Sequence, residues 1–156
     1  MRLLVLTTVL AAATSARAEV VAPTPVETPL AIVGGGAGLD GHVGSVAAGI
    51  GWGETDTHDL LFPGTVLSRV LVGVRGFDDH AALSVTYGWY ENQILSLGFD
   101  FGAEATRDGA GPTTRFTVGS HGIALQLTGG VTFEPGVHAI GAAQLVVEVA
   151  DLLGTI

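Results

Sequence analysis

Ala82-Leu83-Ser84-Val85-Thr86-Tyr87-Gly88-Trp89, followed by Leu95-Ser96-Leu97-Gly98-Phe99-Asp100-Phe101-Gly102-Ala103-Glu104-Ala105, carries two opposite chemistries in strict alternation. Odd positions hold Leu83, Val85, Tyr87, Trp89, Leu95, Leu97, Phe99 and Phe101. Even positions hold Ser84, Thr86, Gly88, Ser96, Gly98, Asp100, Gly102 and Glu104. A repeat of two is the signature of a β-strand, in which successive side chains point to opposite faces. A three-residue hairpin loop at Glu91, Asn92 and Gln93 predicts Trp89 opposite Leu95, Tyr87 opposite Leu97, Val85 opposite Phe99 and Leu83 opposite Phe101. The same register sets Ser84 against Asp100 and Ala82 against Gly102. One face is apolar throughout; the other is small, hydroxylated or charged, a set that a dry core does not hold. The arrangement this implies has Val85, Tyr87, Trp89, Leu95, Leu97, Phe99 and Phe101 facing lipid around a polar interior.

The pattern extends along the chain. Candidate strands are Leu30–Ala37, His42–Gly53, Val66–Phe77, Ala81–Tyr90, Ile94–Thr106, Thr113–Val118, Gly122–Phe133 and Val137–Ala150, with surface loops over Glu54–Thr65 and Arg107–Pro112. Most reach the ~9 to 11 residues that a tilted strand needs to cross hydrocarbon. A four-residue loop from Phe77 to His80 pairs Val74 with Leu83, Val72 with Val85 and Val70 with Tyr87, so the apolar face continues. Glu134-Pro135-Gly136 closes a second hairpin, which sets Val131 opposite Ala139 and Gln126 opposite Gln144. The predicted fold is all-β: an antiparallel up-and-down meander closed into a small barrel of about eight strands.

Upstream, Met1-Arg2, the apolar run Leu3–Ala13 and the small-x-small Ala16-Arg17-Ala18 read as a signal peptide over residues 1–18. That run falls short of the ~20 residues of a membrane-spanning helix. Residues 19–29, with Pro23, Pro25 and Pro29, read as an extended linker, and residues 30–156 as the barrel domain. Lysine and cysteine are absent, and after cleavage four arginines stand against fifteen carboxylates, a net charge of −11. So few cations exclude a nucleic-acid partner, because phosphate neutralisation needs Lys and Arg. Glycine occurs 24 times without collagen's three-residue period, which suits strongly curved strands.

The inward positions hold the chemistry. Arg69, Arg75, Asp100, Glu104, Gln126, Gln144 and Glu148 fall on the polar face, and mixed charges there predict a buried ion-pair network, since lone desolvated charges are very costly. Arg75, across from Ala82 and then Gly102, has room to reach Asp100 or Glu104. Either a polar channel or a salt-bridged plug follows, and the narrow bore of eight strands favours the plug.

Other motifs carry less. Glu54, Asp56, His58 and Asp59 supply oxygen donors for calcium, but their spacing is not that of an EF-hand, and a solvated loop is the better reading. Gly36-Ala37-Gly38-Leu39-Asp40-Gly41 fits G-x-G-x-x-G, yet an alternating strand follows where a dinucleotide fingerprint requires a helix. Ser120 and His121 sit in a Gly-Ser-His-Gly turn without G-x-S-x-G, so no catalytic residue and no cofactor is expected.

The signal peptide, proline-rich lead, glycine-rich alternating strands and inward arginines with carboxylates together resemble the small bacterial outer-membrane β-barrel proteins. The resemblance covers about Leu30 to Ile156. It implies outer-membrane lipid as the surroundings and a non-catalytic role in envelope integrity, adhesion or binding of a small or extracellular ligand. Trp52, Tyr87, Trp89 and Tyr90 are the candidate interfacial aromatics. The leading alternative is a secreted or periplasmic soluble β-sandwich or barrel, a binding module that turns its apolar face into a core. A barrel that hydrolyses lipid with His121 is a third reading.

Overall fold

A computed structural model describes residues 24–56, 64–92, 95–120 and 122–149. They form β1 (Thr24–Gly38), β2 (Gly41–Asp56), β3 (Gly64–Phe77), β4 (Ala81–Asn92), β5 (Ser96–Ala105), β6 (Ala110–Ser120), β7 (Ile123–Glu134) and β8 (Gly136–Glu148). Each strand pairs antiparallel with the next, and β8 returns to β1, so the sheet is a closed barrel. Closure gives the backbone N–H and C=O groups partners within the wall. The meander barrel expected from the alternation is the fold, and an open sandwich is excluded.

The strand pairing also fixes the stagger. Starting at Val26 and stepping through Gly53, Leu67, Tyr90, Gly98, Thr117, Gln126 and Gln144 returns to β1 at Gly36, ten residues further along. Eight strands with that stagger lean about 40° from the barrel axis and leave a bore that side chains can fill. Side chains do fill it: Arg69, Arg75, Asp100, Glu104 and Gln144 are each 1 % exposed or less, with Leu30, Ile32, Leu71 and Val146 packed among them. Outside, every strand contributes large apolar residues to solvent-accessible surface, from Val33 on β1 to Leu145 on β8.

Strand ends and one register differ from expectation. β1 starts at Thr24, so Pro25 and Pro29, assigned to a linker, lie in a strand. Among the described residues the ladder to β8 starts at Ile32, so neither proline occupies a described β1–β8 pair, where its missing N–H could cost a ladder bond. β2 and β3 run into the expected Glu54–Thr65 loop, pairing Thr55 with Thr65 and Asp56 with Gly64. β6 begins at Ala110 rather than Thr113; its ladder to β7 skips Gly111 and Pro112, where a donor is missing. The signal peptide, His58, Asp59 and His121 lie outside the described residues.

The β3–β4 and β7–β8 registers are those expected, with Val72 opposite Val85 and Gln126 opposite Gln144. The β4–β5 register is not. Trp89 faces Phe99, Tyr87 faces Phe101, Val85 faces Ala103 and Leu83 faces Ala105, four residues away from the short-loop pairing. Leu95 precedes β5 in a bend instead of facing Trp89. An even shift leaves every side chain on its expected face, so alternation alone could not reveal it. Two gains select the observed register. Tyr87 and Phe101 meet edge to face with ring centroids 5.7 Å apart, and Gly88, not a side-chain-bearing residue, stands opposite Asp100.

Candidate functional site

The lumen is where the chemistry collects, and its geometry follows from that register. Arg69 on β3, Gly88 on β4, Asp100 on β5 and Arg115 on β6 lie side by side in one row across four strands. Because Gly88 has no side chain, Arg69 reaches over β4 to Asp100 and binds it in two places: Nε donates to Oδ1 at 2.7 Å and Nη2 to Oδ2 at 2.6 Å. The guanidinium also stacks over the Tyr90 ring, 4.7 Å from its centroid. Two rows away, Arg75 Nη2 donates to Glu104 Oε2 across Ala82 and Ser84, both small.

The seven inward residues expected from alternation are all buried, none more than 8 % exposed. Four of them form the two ion pairs, Arg69 with Asp100 and Arg75 with Glu104. Gln144 donates to Ser45 Oγ at 2.9 Å, and Gln126 to Thr117 Oγ1 at 3.4 Å. Glu148 lies toward the end of β8, beside a small cavity it shares with Arg69, Tyr90 and Gln126. The expected neighbour of Ala82 across the next strand was Gly102; Gly102 instead faces Thr86, and Arg75 takes Glu104 while Asp100 is taken by Arg69.

Two lumen residues escaped the sequence reading. Arg115, 6 % exposed, donates from Nη2 to Ser84 Oγ, and that hydroxyl in turn donates to the Gly73 carbonyl. Its signal was present, because Thr113, Arg115 and Thr117 alternate with Thr114, Phe116 and Val118. Tyr90 points inward rather than to an interface, since it follows Thr86 and Gly88 in the even phase.

A Cβ on Gly88 would lie 2.1 Å from the Phe99 carbonyl oxygen and 2.5 Å from Asp100 Oδ1. Gly88→Ala is therefore expected to destabilise the barrel by about 1–3 kcal/mol, the usual range for overpacking. Gly129→Ala, where nothing lies within 4 Å, should stay within about 0.5 kcal/mol. Urea unfolding midpoints of the two variants check this; equal midpoints would contradict it.

At the end of the barrel formed by the β1–β2, β3–β4, β5–β6 and β7–β8 turns, a cavity of about 880 Å³ opens over Glu104. Its rim carries Asp40, Asp79, His80, Arg107, Asp108, Glu134 and His138. His80 Nδ1 and Asp79 Oδ1 are 2.6 Å apart, and this hydrogen bond is the main reason the Asp79 carboxyl lies below the usual carboxylate range. Thr106 Oγ1 donates to Glu134 Oε1 at 2.9 Å and ties two of the turns together. Gly41, at φ +108°, makes the β1–β2 turn, and His42 N–H donates to Asp78 in the β3–β4 turn at 3.0 Å.

Among the described residues, the remaining motifs hold no assembled site. Glu54 is exposed near the end of β2, and among the described residues no three His, Asp or Glu are placed to share a metal ion. The glycines of G-x-G-x-x-G lie in β1, its turn and β2, with no helix after them to receive a pyrophosphate. Ser120 ends β6.

Compared with protein-family models, with curated proteins and with solved structures, the chain matches none.

Proposed function

We propose that this protein is an integral outer-membrane β-barrel with a closed, ion-paired lumen, and that its role is structural, adhesive or solute-binding rather than catalytic. The observation that carries the reading is the inversion of polarity. Among the described residues, twenty-one large apolar residues are exposed on a barrel whose inside holds three arginines, three carboxylates and a row of hydroxyls. Water-soluble monomers seldom expose contiguous apolar patches beyond a few hundred Å². In lipid the same surface is favourable.

The aromatic residues support the same placement. Trp52, Trp89, Phe99 and Phe116 lie near the strand ends that lead to the β2–β3, β4–β5 and β6–β7 connections, with Tyr87 and Phe101 two residues further in. Trp52 and Tyr87 rings are 6.3 Å apart. Such a band at one end suits a membrane–water interface, where one edge of the ring is apolar and the other wet. Polar outward residues accompany it: Glu27 and Ser68 pair with Trp52 on either side, and Glu54 lies two residues nearer the end of β2. With the lumen plugged, solutes have the mouth and its turns to occupy, not a through-channel.

The test is extraction of the expressed protein from cell envelopes. Carbonate or high salt should leave it in the pellet, detergent should release it, and the unboiled band should migrate differently from the boiled one. Release by washing alone would overturn the membrane reading.

A further inference from the structure

We infer that the lumen binds one small monovalent anion, a halide such as chloride, between Arg75, Arg115 and Gln144. The carboxylates beside these arginines are already engaged. Asp100 is held by Arg69 through both its oxygens, and Glu104 is paired with Arg75. Arg115 lies between them with no carboxylate in ion-pair contact among the described residues; its one side-chain partner is the neutral Ser84 hydroxyl. Three guanidinium groups thus face two carboxylates in the middle of the barrel. Glu148, the other buried carboxylate, belongs to a separate cavity on the Arg69 side.

A second observation marks where the compensating charge sits. Arg75 Nη1, Arg115 Nε and Gln144 Oε1 are buried without hydrogen-bond partners among the described residues. All three side chains line the same enclosed cavity of about 10 Å³, together with Ser45 and Gln126. That volume takes one water or one monatomic anion and nothing larger. Water would satisfy the N–H groups but bring no negative charge to Arg115, which has Glu104 and Asp100 nearby yet makes no ion pair of its own, whereas an anion answers both. Turning the Gln144 amide over presents its NH₂ group to the anion and still keeps the Ser45 bond, because the hydroxyl can donate as well as accept. The inference concerns the bore of the closed barrel and stands whether or not lipid surrounds it.

The test uses the full-length barrel purified in detergent. Its urea unfolding is followed against chloride, with gluconate holding the ionic strength constant. Once chloride exceeds the dissociation constant, each tenfold increase should raise the folded-to-unfolded ratio about tenfold. Arg115→Gln should lose that dependence. Crystals grown in bromide should show anomalous scattering between Arg75 and Arg115. A wild-type unfolding curve indifferent to chloride, or a bromide crystal with no anomalous peak there, would overturn the proposal. Both of these measurements use the wild-type chain, so the outcome does not depend on whether the variant folds.

Discussion

Asp100→Ala is expected to lower the stability of the folded barrel by about 3–5 kcal/mol, the cost of breaking a buried ion pair from one side. The carboxylate is wholly buried and accepts two hydrogen bonds from Arg69, with Arg115 next to it in the same row. Its removal leaves the Arg69 guanidinium without its ion-pair partner and withdraws one of the two carboxylates near Arg115. Asp100→Asn keeps an acceptor in place and should lose less. The urea midpoint, read from the fraction of unboiled protein that runs as the folded band, measures both variants. A midpoint for Asp100→Ala equal to wild type would mean that the Arg69 pair does not hold the barrel together.

Val85→Arg tests the outer face. Val85 is half exposed in the middle of β4, between Val72 and Ala103. If lipid covers it, a charge there should cost about 2–4 kcal/mol in a bilayer. In water the same change on an exposed strand residue would fall within about 0.5 kcal/mol. Unfolding in vesicles of a neutral lipid gives the number. A near-neutral result would count against a membrane-embedded belt at this height, while the fold and its lumen would be untouched. Asp100 and Val85 therefore probe different propositions, one about what holds the barrel from within and one about what surrounds it.

Reading the chain residue by residue was enough to assign faces. Alternation in Leu83–Ala105 and its neighbours put Arg69, Arg75, Asp100, Glu104, Gln126, Gln144 and Glu148 on one side and Val85, Tyr87, Trp89, Phe99 and Phe101 on the other, because which way a strand residue points is a local property. The β3–β4 and β7–β8 hairpins were legible too, since their turns are short and tie the register to the nearby chain. Arg115 was equally legible, in phase with Thr113 and Thr117.

Which arginine meets which carboxylate was not available at that level. The β4–β5 pairing can slide by an even number of residues without moving any side chain to the wrong face, so the alternating pattern fits several registers equally well. The choice among them rests on contacts between strands that are not adjacent in the sheet: Arg69 passing over Gly88 to Asp100, and Arg75 passing over Ala82 and Ser84 to Glu104. Those distances exist only once the sheet has curved and closed. The enclosed cavity beside Arg115 has the same origin, because it is bounded by side chains from β1, β2, β3, β6, β7 and β8 that no stretch of sequence brings together.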